Sequence, residues 1–397
     1  VFSGMLAGSA MNIPQETVDS YIELEKTVAG VQQVMEAIDP ISAWSKESSL
    51  NKAEALHTLN NEIQNFVDVS AKYAQNVNDT ALAAQLWGRG YGHASDVQSS
   101  FTDVYGDTHN LTERQKQLEA MKQVNELVAQ SAMLAAVDNF SMEESVKGLE
   151  AILSAYGMRA KSAAEATMFA SSAVDSLTKV AHTGQISAQD LVQGIEATGQ
   201  AASQAGISLE FLEAMIETGV RNTGRSGSEI GQAVKALTVG IHSTKGVKEL
   251  EKFGIQVMKI GEDGSKRMRP LQEVILDISN ALQKSDKNAE KLLLAVSGGR
   301  YQYSKISSIL RDRDEIIRMW GNAINSSGFA KNQLSLQMDT IASKLKKIRA
   351  ELVGLVQDAV AGSGGNIVKN LLDMIDWLIR KVKEFSGAIK DVSIVAI

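Results

Sequence analysis

Cysteine is absent from this 397-residue chain. A disulfide scaffold, an iron–sulfur cluster, a thiolate zinc site and a cysteine nucleophile are therefore excluded. Proline is nearly absent too, with three residues against 31 glycines, so breaks in the pattern fall mainly on glycine. Aromatics make up only 5%, which argues against a large β-sandwich or a base-stacking surface. No apolar stretch approaches the ~18 residues of a membrane-spanning helix, so no complete transmembrane helix is expected. Forty Lys/Arg against 47 Asp/Glu give a net charge of −7, which weighs against sequence-specific nucleic-acid binding.

What is present fits a folded chain, with 44% apolar and 22% charged residues. Its length is ample for one large core or two to three domains. Val1-Phe2-Ser3-Gly4-Met5-Leu6-Ala7 has no basic segment and reads as an internal start, not a signal peptide. The apolar end, Ser393 to Ile397, is consistent with a piece of a longer chain.

The periodicity is helical almost throughout. Apolar residues recur at helical spacing from Val18 to Ile38 and again from Ala55 to Tyr73. Asp79 or Thr80 is a candidate cap for a helix to Trp87, and Gly88, Gly90 and Gly92 read as a turn packing Trp87 on Tyr91. A helix follows over 118–137. Ser141 with Glu144, and Ser162 with Glu165, have the spacing of capping boxes. Ser187, Ser208 and Ser226 (or Ser228) precede helices expected to end near Gly206, Gly224 and Gly240. Alternation on either side of Asp263-Gly264 predicts one hairpin, lying on the helices, and Pro270 opens a helix over 271–282.

The last section differs. Leu334, Met338, Ile341, Leu345, Ile348, Leu352 and Leu355 are spaced 4, 3, 4, 3, 4, 3, a heptad seam. Leu345 and Leu352 at a, with Ile341 and Ile348 at d, lean toward more than two strands, so a trimer is favoured. A straight helix laid on the core is the alternative. After a Gly362–Gly365 hinge comes an amphipathic helix with Ile367, Leu371, Ile375, Trp377, Leu378 and Val382 as a membrane or partner face. From Lys331 onward there are 10 Lys/Arg and 7 Asp/Glu, whereas the first 330 residues carry 30 and 40.

Sites of chemistry are not evident. No two of His57, His93, His109, His182 and His242 sit at i, i+3 or i+4, so no helical metal pair is formed. Phosphate-binding, dinucleotide and nucleophile-elbow motifs are missing. No carboxylate pair stands out for glycoside hydrolysis. Glu143 and Glu144 suit a helix start, and Asp312, Asp314 and Glu315 interleaved with Arg311 and Arg313 read as a solvated face. The expectation is a protein without catalytic residues, metal or cofactor.

Six segments in order carry a resemblance: Ser141-Met142-Glu143-Glu144-Ser145-Val146-Lys147-Gly148-Leu149-Glu150; Ile186-Ser187-Ala188-Gln189-Asp190-Leu191; Gln204-Ala205-Gly206-Ile207-Ser208-Leu209-Glu210; Thr223-Gly224-Arg225-Ser226-Gly227-Ser228-Glu229-Ile230-Gly231; Phe253-Gly254-Ile255-Gln256-Val257; and Arg269-Pro270-Leu271. Together they resemble the core region of phage tail tape measure proteins, over roughly residues 60–285. The resemblance implies a structural protein of a phage or phage-tail-like particle. Such a protein sets tail length, occupies the tail tube or tip and is released during genome ejection. It implies assembly in the host cytoplasm and contacts with copies of itself, with tail tube and baseplate or tip hub proteins, and with the host membrane or envelope at ejection. An envelope-active helical protein, pore-forming or peptidoglycan-cleaving, is the alternative.

The expected fold is all-α: a compact multi-helix domain with one small β-hairpin, then a coiled-coil and amphipathic helical C-terminal section. Its expected divisions are N-terminal helices (1–58), a helical core (59–245), the hairpin with following helices (246–330), a heptad helix (331–361) and an amphipathic helix leading to an apolar segment (362–397).

Overall fold

A computed structural model describes residues 69–338, apart from 70–71, 74, 76, 92–99, 103–107, 111–112, 139, 261–264, 285 and 298–299. The chain divides into two units, Val1–Gly92 with Leu345–Ile397, and His93–Lys344. The expected N-terminal helices of 1–58, the amphipathic helix of 362–397 and the heptad helix beyond Met338 lie outside the described residues.

In the first unit the described helix is α1 (Val77–Tyr91). It runs through Gly88 and Gly90 where a turn was expected. Trp87 and Tyr91 are one helical turn apart, both buried, with ring centroids 5.8 Å apart, and Gly90 has open space around it. Asp79 lies in the first turn and not at the cap.

The second unit is helical, as the periodicity implies. Its elements are β1 (Ser100–Thr102), β2 (Thr108–Asn110), α2 (Glu113–Asp138), α3 (Met142–Ala155), α4 (Ala163–Gly184), α5 (Ala188–Gln204), α6 (Leu209–Thr223), α7 (Gly227–His242), α8 (Thr244–Lys252), β3 (Met258–Ile260), β4 (Lys266–Met268), α9 (Leu271–Lys284), α10 (Asp286–Val296), α11 (Arg300–Leu310), α12 (Arg313–Ile324) and α13 (Phe329–Met338). A single 3₁₀ turn (Met158–Ala160) joins α3 to α4.

Serine starts the six consecutive helices α3 to α8. Ser141 and Ser162 form the two capping boxes with Glu144 and Glu165. Ser187, Ser208, Ser226 and Ser243 each accept an N–H three residues on. A serine oxygen there satisfies a donor that has no partner within the helix. At the other ends, Gly157, Gly206 and Gly224 take φ of 64–74°, a conformation in which a Cβ is strained.

The hairpin pairs Met258 with Met268 and Ile260 with Lys266. Arg269 ties it down by donating to Gln256 O (2.8 Å) and to Asp277 of α9 (2.9 Å). A second ribbon pairs Phe101 with His109. It was not anticipated, because Ser-Phe-Thr against Thr-His-Asn has no apolar alternation for a pattern to detect.

The core is organised around α6. Every residue from Phe211 to Val220 is buried, and α6 is packed by α4, α5, α7, α11 and α12. A helix buried on all sides has to be enclosed in this way. Phe211 meets Trp320 of α12 edge to face at 5.2 Å. Around this centre, α2 packs on α3, α4 and α13, and α3 packs on α5.

Candidate functional site

Two carboxylates interrupt the buried helix. Glu213 and Glu217 stand one turn apart on α6 and are fully buried. Glu213 accepts a hydrogen bond from Ser176 Oγ of α4 at 2.9 Å, while its second oxygen has no partner. Burial pushes its carboxyl well above the usual range. Glu217 lies against Gly184, where an added Cβ would sit 2.5 Å from Glu217 Cγ. Gly184 is the last residue of α4, and Gln185 takes the left-handed position (φ 58°) that ends the helix.

Glu217 opens onto an ionic network between α6 and α12. Arg221 Nε lies 3.3 Å from both Glu217 and Glu315, and Arg221 Nη2 donates to Asp312 at 2.8 Å. Asn222 donates to the same Asp312 oxygen at 3.0 Å. Arg318 grips Glu315 with two nitrogens at 2.6 and 2.8 Å. Burial and the Glu315 charge raise the Glu217 carboxyl to about 7, against the opposing pull of Arg221. The solvated face expected at 311–315 needs correcting, because the Glu315 side chain is only 10% exposed and Asp312 holds α6. The cause is a partner 91 residues away, invisible to local spacing.

A third carboxylate holds the end of the unit. Asp175 of α4 accepts the N–H groups of Gly328 (2.7 Å) and Ala330 (3.0 Å) at the start of α13. This is an N-cap supplied from a remote helix. Phe329 is held alongside by the Lys179 ammonium, 4.3 Å from its ring centre, and by the His182 ring at 5.7 Å. We expect Asp175→Ala to destabilise the protein by ~1–2 kcal/mol and to strip amide-exchange protection from α13 before any other helix. Asp175→Asn, which keeps an acceptor oxygen, should restore part of that protection.

Glu213 and Glu217 are enclosed by the helices around α6, and among the described residues no cluster of His, Asp and Glu could hold a metal ion. What the arrangement can do is exchange a proton and hold helices together.

Of the sequence-predicted seam, Leu334 is on α13 and 7% exposed, in a helix that packs on α2 and α4. Met338 is the last residue of that helix. Ile341, Leu345, Ile348, Leu352 and Leu355 lie outside the described residues, as do Ile367, Leu371, Ile375, Trp377, Leu378 and Val382. Glu213, Glu217 and Asp175 had not been singled out. The first two carry a signal in hindsight, as two acids at i, i+4 in a stretch, Phe211 to Val220, whose other residues except Thr218 are apolar.

Residues 112–296, somewhat under half of the chain, match the model of the phage-related minor tail protein family. No curated protein and no solved structure matches the chain. The matched span begins just before α2 and ends with α10, so it contains α6 and its surrounding helices except α11 and α12. The match supports a structural role in a phage tail. Among the described residues no helix is long and apolar enough to cross a membrane.

Proposed function

We propose that this chain is a segment of a tape measure protein of a phage or phage-tail-like particle. In this reading its parent sets tail length, occupies the tail tube or tip and leaves it during genome ejection. The observation that carries the proposal is the minor tail family match over residues 112–296. It coincides with the ordered series of segments that resembles the tape measure core. The chain acts structurally and not as an enzyme. Its partners are copies of itself, favoured as a trimer through the 334–355 seam, together with tube and baseplate or tip hub proteins and the host membrane at ejection.

Physics divides the labour between this segment and a rod. A ruler needs continuous helix, rising ~1.5 Å per residue. Here α2 is the longest described helix, at 26 residues, and the rest of the unit folds back on itself at serine caps and glycine stops. The described unit is thus a compact body beside a rod. Inserting about 70 helix-forming residues into the rod of the parent gene should lengthen tails by roughly 100 Å in electron micrographs. Normal tails of unchanged length would remove the ruler role.

A further inference from the structure

The α6–α12 contact joins a buried, titratable group to a helix that also buries Ile316, Met319 and Ala323. The charges that act on Glu217 come from α6 and α12. On α6 stand Glu217 and Arg221, with Glu213 one turn earlier. From α12 come Glu315, Arg318 and Asp312. From α4 the facing group is Gly184, which is uncharged and packed too closely for a counter-ion. From α5, α7 and α11 the groups against adjoining turns are Gly194, Ile230 and Ile309, also uncharged. Lys179 and His182 of α4 are engaged with Phe329.

Three carboxylates therefore share two guanidinium groups. Asp312 and Glu315 have the better geometry, with contacts of 2.6–2.8 Å, and both are more exposed than Glu217. With Glu217 protonated the set is neutral. With Glu217 ionised a charge is enclosed beside Glu315, its cation shared and no hydrogen bond made to Oε1. A buried charge without full pairing is costly, and the structure relieves that cost by letting water in.

We infer that α12 is a proton-gated clamp: it stays closed on α6 while Glu217 holds its proton, and ionisation of Glu217 releases it along with the connection to α13. The step is a single deprotonation, Glu217 losing a proton to solvent as α12 opens. In the closed state the carboxyl sits at about 7, and once hydrated it returns to its ordinary 4.5. The open state thus binds fewer protons between these two values. Opening rises by up to about tenfold per pH unit across that window and levels off above it.

Amide hydrogen exchange of the full chain, corrected for the intrinsic pH effect, tests this. Peptides covering 313–324 should open roughly tenfold more per pH unit from about pH 5 to 7 and no further by pH 8. Glu217→Gln should abolish the rise, whereas Glu213→Gln, which leaves the α12 side intact, should keep it. Glu315→Gln removes the neighbouring charge, and its rise should level off at lower pH. That variant keeps the test alive if Glu217→Gln does not fold. A flat wild-type profile, an unchanged rise in Glu217→Gln, or an equal rise in the α5 and α7 peptides would overturn the clamp.

Discussion

Gly231→Val is expected to destabilise the protein by more than ~3 kcal/mol, a fall in Tm of roughly 6–12 °C for a unit of this size. The reason lies in the crossing of α5 and α7. A Cβ on Gly231 would overlap the carbonyl oxygen of Gly194, and one on Gly227 would overlap the backbone of Asp190. Gly194 is itself hemmed in by Ile216, 2.8 Å from where its Cβ would be. Flexible side chains yield to an added methyl group at small cost, but the backbone of a packed helix moves only with the helix. The close approach also serves a hydrogen bond, since Asp190 accepts the Gly227 N–H at 2.9 Å while holding Ser187 at 2.6 Å. Widening the crossing breaks that joint as well. Gly321→Ala is the control. Gly321 lies within α12 with nothing inside 4 Å of its Cβ position, so alanine there should stabilise by ~0.5–1 kcal/mol. Thermal denaturation of both variants checks the pair, and a Gly231→Val protein as stable as wild type would mean the helices cross farther apart.

Glycine also marks where sequence reading succeeds and where it stops. Gly206 and Gly224 read as helix stops and adopt positive φ, as Gly157 also does, because a stop is a local event between adjacent residues. Gly184 is the last residue of α4, and the helix expected to end near Gly240 ends two residues on, at His242. Gly184 makes room for Glu217, and Gly240 for the backbone of Val296. Those demands come from elements far along the chain, which periodicity does not register. Carboxylates divide in the same way. Glu144 and Glu165 were legible because a capping box closes within four residues. Asp175 was not, because its partner Gly328 lies 153 residues later. The all-α class and the 258–268 hairpin were legible from local spacing, whereas the ring of helices enclosing Glu213 and Glu217 is a product of tertiary packing.

Stability should be highest at about pH 4 and fall toward pH 8, opposite to the trend of a protein whose acids are all salt-bridged. Three buried carboxyls set the direction. Burial raises Asp138 from 3.8 to about 6, against its 3.0 Å hydrogen bond from Thr178. Burial and Glu315 raise Glu217 from 4.5 to about 7, and burial raises Glu213 well above 4.5. Each holds its proton in the fold and loses it on unfolding. The native state thus binds more protons, and stability drops as pH rises from the unfolded value through the folded one. The windows run from about 4 to 6 for Asp138 and from 4.5 to about 7 for Glu217. At ~1.4 kcal/mol per unit of displacement, each contributes at most ~3 kcal/mol. Below about pH 4 the trend reverses. The exposed carboxylates of Glu144 and Glu165 are held below their usual range by Ser141 and Ser162, and their stabilisation is lost as falling pH protonates them. Urea unfolding at pH 5 and pH 8 should therefore differ by ~3 kcal/mol or more. Asp138→Asn should remove its own share of the slope between pH 4 and 6, and Glu217→Gln the share that extends to pH 7. A denaturation midpoint flat from pH 5 to 8 would show that these acids are not protonated in the fold, and would remove the basis for reading Glu217 as a proton-held group.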